Sequence, residues 1–304
     1  MASSIELEGE PLGARVLAAS DLSEHGAEAI RQADRWASVA HAELDVCSVV
    51  PAPSLPREGE APPPPEVWRK LEAEVDRVRE ALREQVARLT GRGPGEVRLF
   101  VEAGEPYAAI VTRATFTGCA RVVVGSRNRR GLERLLLGSV AERVVRQAPC
   151  PVLVARPDSG VHRILVGTDF SEPAMPAVEA AADEGRWYGA PVTVLHCLEE
   201  PGKAAPARDR AKLARILLED MARQLGIVGD VQVRKGSPAE QIVRAAEETG
   251  AELVVVATSG KTGLARHLLG SVAEAVVRSA SCSVLVVRTL EAMPDYGEPA
   301  APFA

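Results

Sequence analysis

The sequence predicts an α/β protein with two tandem, doubly wound, five-stranded parallel sheets, and three observations lead to this fold class. A 22-residue stretch occurs twice, at 135–156 and 267–288, with sixteen identical positions at a constant offset of 132. Each copy alternates apolar runs rich in Val and Leu with stretches of helical spacing, which is typical of doubly wound sheets. Aromatic residues make up only 3% of the chain, so aliphatic side chains must fill the core.

A second repeated stretch lies upstream, where residues 15–30 match residues 163–178 at an offset of 148. The two offsets, 148 and 132, differ by sixteen residues, so the first copy must contain an insertion. We place it in the Pro-rich segment 51–66, because proline cannot donate a backbone hydrogen bond and favours a loop. The predicted organisation is a first domain over 1–157, a second domain over 158–290 and a flexible tail over 291–304.

Each element of the first copy has its own signal. Apolar residues recur every three or four positions over 66–89, which predicts a long amphipathic helix. Pro106 suits the first turn of the following helix. Short apolar runs predict strands over 14–20, 43–50, 96–102, 121–126 and 150–156, and in the second copy near 163–168, 190–197, 231–235, 252–257 and 283–288.

Composition argues against several functional classes. A net charge of −6 and a pI near 5.6 disfavour a nucleic-acid-binding surface. The chain has neither an apolar run long enough to span a membrane nor a secretory signal, so we expect a cytoplasmic protein without membrane contact. The five cysteines occur singly, which favours reduced thiols over a disulfide framework or a zinc site.

An aspartate follows the first strand of each copy, at Asp21 and Asp169. Ligands of doubly wound sheets bind at the carboxyl ends of the strands, where the strand order reverses. Both residues are therefore candidates for binding. An aspartate followed by serine is also a common helix start, so a capping role remains open for both.

The sequence SGKTG at 259–263 resembles the end of a phosphate-binding P-loop. A P-loop requires glycine at position 255, where this chain has Val255, so we exclude that motif. Both copies instead have a longer loop followed by Gly138-Ser139 or Gly270-Ser271 at the start of a helix. A helix start offers unpaired N–H groups to an anion, although a plain helix cap beside a solvated basic loop remains an alternative. The basic residues of these loops are Arg127, Arg129, Arg130 and Lys261.

With these residues in place, the chain resembles a tandem member of the universal stress protein (UspA) superfamily over residues 12–156 and 161–288. Nucleotide-binding members of that family carry G-x2-G-x9-G-[ST] after the fourth strand. Each copy keeps this spacing but lacks one glycine, since Asn128 and Ala257 stand at glycine positions. The motif residues are Gly125, Asn128, Gly138 and Ser139 in the first copy, and Ala257, Gly260, Gly270 and Ser271 in the second.

The resemblance implies a Rossmann-like fold that binds ATP, with or without Mg²⁺, in one or both copies. The phosphates would lie on Gly138-Ser139-Val140 and on Gly270-Ser271-Val272. Adenine and ribose would lie near Asp21 and Asp169, near the second-strand ends Val49 and Cys197, and near the fourth-strand ends Val124 and Val256.

The last strand of each copy should be an exposed apolar edge, which invites pairing. The resemblance implies dimerisation through this strand, so we predict an intramolecular pseudo-dimer and leave further homodimerisation open.

We expect a nucleotide-dependent switch or chaperone-like protein with an unidentified protein partner. The alternatives are a slow ATP hydrolase and a nucleotide-free interaction module. We predict no catalytic or metal-binding residue, because no Ser-His-Asp, Cys-His or Mg²⁺-binding carboxylate arrangement can be assembled from the sequence.

Overall fold

The structure is a computed structural model that describes residues 14–52, 63–93, 95–126, 137–158, 160–198, 207–258 and 269–288. Within these residues each copy contains five strands and four α-helices in alternation, as predicted. The strands are β1 (Arg15–Ala19), β2 (Glu43–Val50), β3 (Val97–Ala103), β4 (Arg121–Gly125), β5 (Val152–Ala155), β6 (Ile164–Thr168), β7 (Val192–Leu198), β8 (Val231–Lys235), β9 (Leu253–Ala257) and β10 (Ser283–Val287). The helices are α1 (Glu24–Val39), α2 (Pro65–Thr90), α3 (Pro106–Thr117), α4 (Ser139–Gln147), α5 (Met175–Tyr188), α6 (Ala207–Gln224), α7 (Pro238–Thr249) and α8 (Ser271–Ser279).

All ten strands form one continuous sheet with the order β3-β2-β1-β4-β5-β10-β9-β6-β7-β8. Pairing is parallel within each copy, and the strand order reverses between β1 and β4 and between β6 and β9. The doubly wound fold of each copy is therefore confirmed, and the two reversal points locate the crevices in which such folds bind ligands.

The two copies join through β5 and β10, which pair antiparallel. Leu153 pairs with Leu285, and Val152 and Val154 pair with Val286 and Val284. Leu153 therefore faces its own equivalent at an offset of 132, and the flanking pairs are related by an approximate two-fold axis at this point, as in an isologous dimer interface. The predicted pseudo-dimer is confirmed, and its last strands lie in the middle of the sheet. The sheet edges are β3 and β8.

Apolar side chains fill both faces of the sheet. Leu17 and Val124 lie on the face covered by α3, α4, α7 and α8. Val16 and Val123 point to the opposite face, which α1, α2, α5 and α6 cover. Both cores run continuously across the β5–β10 contact, so each copy completes the hydrophobic core of the other.

The extra length of the first copy is not confined to the Pro-rich segment. Helix α2 has 26 residues against 18 for α6, and β3 has seven residues against five for β8. Pro65 and Glu66 belong to α2, where proline at the first helical position fits because its missing N–H has no helical partner. The predicted helix over 66–89 thus begins one residue earlier, at Pro65, and residues 53–62 of the Pro-rich segment lie outside the described residues.

Candidate functional site

The predicted binding residues gather at the carboxyl edge of the sheet, once in each copy. In the first copy, the β1–α1 turn, the ends of β2 and β4 and the start of α4 meet at this edge, and the second copy repeats the arrangement. Asn128 and Gly260 lie outside the described residues, as do the basic residues Arg127, Arg129, Arg130 and Lys261.

Asp21 and Asp169 form the same turn in the two copies. Asp21 Oδ1 accepts a hydrogen bond from the Ser23 backbone N–H at 3.1 Å and another from the Ser23 hydroxyl. Asp169 Oδ1 accepts the corresponding bonds from Ser171 at 2.9 and 2.5 Å. Ser23 in turn accepts a hydrogen bond from Gly26 N at 3.3 Å and caps α1. In the first copy the aspartate therefore orients the serine that caps α1, whereas Ser171 makes no side-chain capping bond in the second copy.

The residue after each aspartate has a left-handed backbone, with φ of 64° at Leu22 and 61° at Phe170. Positive φ is unusual for such side chains and is often retained at binding sites. Leu22 N donates to Ser20 Oγ, and Phe170 N donates to Thr168 Oγ1, both at 3.1 Å. This shared turn was not predicted, since neither Leu nor Phe signals positive φ in a sequence.

Helices α4 and α8 begin on glycine caps that have no side chain to accept a hydrogen bond. The first helical bonds run from Glu142 N to Gly138 O and from Glu274 N to Gly270 O, both at 2.9 Å. The N–H groups of the preceding three residues therefore have no helical partner, and they stand at the positive end of the helix dipole. Ser139 and Ser271, the first residue of each helix, are exposed.

Gly270 also packs tightly against the end of β9. Its N–H donates to Thr258 O at 2.8 Å, and a Cβ at this position would lie 2.9 Å from the same oxygen. A side chain would therefore push the start of α8 away from the strand. Close approach of two backbones, rather than positive φ, explains glycine here, since Gly270 has a φ of −60°.

Gly125 packs against the first turn of α1, where an added Cβ would overlap the His25 backbone carbonyl. Ala257 carries that Cβ in the second copy, and Pro173 stands at the position equivalent to His25. There the helix starts with a 3₁₀ turn over Glu172–Ala174 before α5 begins. The altered start of the helix accommodates the larger residue at 257.

The Ala257 side chain packs with the core beneath α5 and α6. Its neighbour Val256 packs into the opposite core, to which α8 also belongs. Because successive strand residues point to opposite faces, the Ala257 methyl lies on the face away from α8. The methyl group therefore points towards the helix start at Glu172–Ala174 rather than towards Gly270.

The second-strand ends differ between the copies. His196 is buried, its Nδ1 lies 2.8 Å from Thr168 O, and its ring packs against Phe170 with centroids 4.3 Å apart. Ser48 and Leu22 occupy these two positions in the first copy. Cys197 points to the other face, with Sγ 4.0 Å from Pro238 O, and Val49 is partly buried. The contact between His196 and Phe170 was not predicted, although His196 directly precedes the predicted site residue Cys197.

No group of three or more His, Cys, Asp or Glu side chains that could hold a metal ion occurs in the described parts of the chain. Over the same residues, no helix is both long and apolar enough to cross a membrane.

A family model, described as the Universal stress protein family, matches residues 14–156 and again residues 160–288. The chain belongs to the universal stress protein family. A universal stress protein of Mycolicibacterium smegmatis is 29% identical over 290 residues, which cover 90% of this chain and 96% of that protein. A universal stress protein of Methanocaldococcus jannaschii is 35% identical over 138 residues, which cover 41% of this chain and 81% of that protein.

Among solved structures, a universal stress protein from Archaeoglobus fulgidus aligns with a TM-score of 0.69. It is 23% identical in sequence, and the alignment covers 90% of this chain and 98% of that protein. At this identity the likeness concerns the fold, and it extends over both copies of this universal stress protein.

Proposed function

We propose that this universal stress protein binds ATP, accompanied by Mg²⁺, at the carboxyl strand ends of one or both copies. The starts of α4 and α8 carry the proposal, because each presents unpaired N–H groups behind an exposed serine at a topological switch point. A phosphate group fits this chemistry, since it accepts several hydrogen bonds and its negative charge complements the helix dipole.

Each predicted domain, 1–157 and 158–290, supplies one complete set of candidate contacts. Phosphates would contact the backbone of Gly138-Ser139-Val140 or Gly270-Ser271-Val272. The nucleoside would lie over the turns at Asp21 or Asp169, beside the ends of β2 and β4 or of β7 and β9. The second copy is the stronger candidate, because it keeps the loop glycine Gly260 and the Ala257 methyl faces away from α8.

We further propose that nucleotide occupancy acts as a switch for an unidentified protein partner in the cytoplasm. Five free thiols suit a reducing compartment. Slow ATP hydrolysis and a nucleotide-free interaction role are the alternatives that the experiment below distinguishes.

The decisive experiment is calorimetric titration of the full chain with ATP in the presence and absence of Mg²⁺. The informative variants are Ser139→Asp and Ser271→Asp. An aspartate in the first turn complements the helix dipole and leaves the helix stable, but its charge repels a phosphate group. We expect each substitution to weaken binding at its own site by about tenfold or more, equivalent to about 1.4 kcal/mol.

Ser139→Asn and Ser271→Asn are the matched controls, because asparagine has nearly the same size as aspartate but carries no charge. A wild-type protein that releases no heat with either form of ATP, and that carries no nucleotide after purification, would overturn the proposal and favour the interaction module. ADP release over time that the aspartate variants abolish would favour the hydrolase instead.

A further inference from the structure

Two buried thiols meet at the edge of the first copy opposite to the candidate nucleotide site. Cys119 lies between α3 and β4, and Cys150 lies two residues before the start of β5. Their Sγ atoms are 3.6 Å apart, and the two residues are only 5% and 7% exposed. The contact therefore places two oxidisable groups side by side in a fixed position.

The second copy lacks this pair. Ala251 and Cys282 stand at the positions equivalent to Cys119 and Cys150. Burial raises the pKa of the lone Cys282 thiol to about 11, which keeps it in the unreactive thiol form. The fold does not require a cysteine at position 119, because the other copy builds the same connection with alanine.

The surroundings of the pair favour a thiolate at Cys119. A hydrogen bond from the Cys150 thiol lowers the pKa of Cys119, and the Arg121 backbone N–H acts in the same direction. Burial opposes this shift, and the pKa of Cys150 is raised well above its usual value by the hydrogen bond with Cys119 and by burial, so Cys150 remains the thiol partner of the pair. Thiolates are the nucleophilic form of cysteine, and neighbouring cations stabilise them.

We propose that Cys119 and Cys150 form a peroxide-sensitive modification site that closes into an intramolecular disulfide. In the first step, the Cys119 thiolate attacks a peroxide oxygen, the O–O bond breaks, hydroxide leaves and a sulfenic acid forms. In the second step, the Cys150 sulfur attacks the sulfenic sulfur, the S–O bond breaks and water leaves. Overall, two thiols and one hydrogen peroxide give one disulfide and two water molecules.

The disulfide would tie together the two ends of the segment 119–150. That segment contains β4 and α4, and hence Gly138 and Ser139 at the candidate phosphate site. A covalent link across it would restrict the separation of β4 and β5, which are hydrogen-bonded neighbours in the sheet. The proposal does not depend on nucleotide binding, since it rests on the geometry of the two thiols.

The test is to treat the reduced full-length protein with hydrogen peroxide, unfold it, alkylate it with N-ethylmaleimide and measure its intact mass. The reduced chain has five thiols and takes up five labels. We expect the oxidised chain to take up two fewer labels and to lose two hydrogen masses. Proteolysis should yield one peptide pair joined through Cys119 and Cys150, and dithiothreitol should restore all five labels.

Cys119→Ala is the primary control, because alanine already occupies the equivalent position in the second copy, and its label count should not change with peroxide. Ala251→Cys is the converse variant, which should create a second pair with Cys282 and a further loss of two labels. Unchanged labelling of the wild type, stable addition of oxygen to Cys119 without a cross-link, or a disulfide between other cysteines would each overturn the proposal.

Discussion

Leu153 and Leu285, which occupy equivalent positions in the two copies, pair directly with each other at the antiparallel contact between β5 and β10. The approximate two-fold axis passes through this pair, and both side chains are buried, with exposures of 5% and 0%. Because they point into the core formed with α1 and α5, they join the two copies through packing as well as through backbone hydrogen bonds.

Leu153→Ala and Leu285→Ala should therefore destabilise the whole chain by similar amounts. Removing a buried leucine side chain costs about 2–5 kcal/mol, depending on how far the surroundings relax. Urea unfolding followed by circular dichroism would measure the loss, with Phe116→Ala as a surface control, since Phe116 is 82% exposed. A loss confined to one copy, with the other unfolding at the wild-type midpoint, would contradict a shared core.

Two arginines reach across the same interface, but their environments are unequal. Arg156 donates to Cys282 O at 2.9 Å and to Val277 O, and it is almost completely buried. Its equivalent, Arg288, donates to Val145 O and Arg146 O and is only partly buried. Each guanidinium thus binds carbonyls near the carboxyl end of the helix in the other copy, where a positive charge is favourable.

Arg156→Ala should cost more stability than Arg288→Ala. A buried carbonyl that loses its partner costs about 1–3 kcal/mol, whereas water can replace the partner at the more exposed site. Thermal unfolding of the two single variants, compared at equal pH and salt, measures the difference. Equal losses of stability would contradict the prediction that the buried Arg156 contributes more than the partly exposed Arg288.

The fold was predictable because its signal is carried by the strands themselves. Short runs rich in valine, such as RVVVG at Arg121–Gly125, favour a strand buried on both faces, and the repeat identified the equivalent strand of the second copy. Pairing of the last strands was predicted, but the side-chain contacts across the two-fold axis were not predictable. Trp36 and Glu184 are equivalent positions, yet the Trp36 indole donates to the Glu184 carboxylate at 3.3 Å. Arg121 pairs with the same carboxylate, and its own equivalent is Leu253.

The candidate site was predictable to the extent that helix starts and strand ends have local signals. Glycine before serine indicated where α4 and α8 begin. The turn at Leu22 and Phe170 was not predictable, because its positive φ depends on hydrogen bonds to Ser20 and Thr168 that only the folded chain brings into place.

A four-charge network joins α4 and α8 behind the two candidate phosphate sites. Arg146 contacts Glu142 at 3.2 Å and Glu274 at 2.9 Å, and Arg278 contacts the same two carboxylates at 3.1 Å each. All four side chains are partly exposed, so each pair should contribute less than about 1 kcal/mol. A double-mutant cycle of Arg146→Ala and Glu274→Ala should give a small coupling energy that high salt reduces further. A large coupling energy that is insensitive to salt would contradict this interpretation.

The first position of the motif is Gly125 in the first copy and Ala257 in the second. We expect packing to depend on glycine at this position in the first copy and little in the second. Gly125→Ala places a methyl group against the His25 carbonyl, and overpacking of this kind typically costs about 1–3 kcal/mol. Ala257→Gly removes a methyl group that the 3₁₀ turn already accommodates, and we expect a smaller loss.

Urea unfolding of both variants measures the stability change, and calorimetric titration with ATP measures whether the altered start of α1 affects the candidate site. If Gly125→Ala keeps wild-type stability but abolishes binding, the methyl group obstructs the ligand directly. Loss of stability together with weakened binding indicates instead that the glycine acts through the position of α1 and the turn at Asp21. The second result is the one expected, because the added Cβ points at α1 and not at the start of α4.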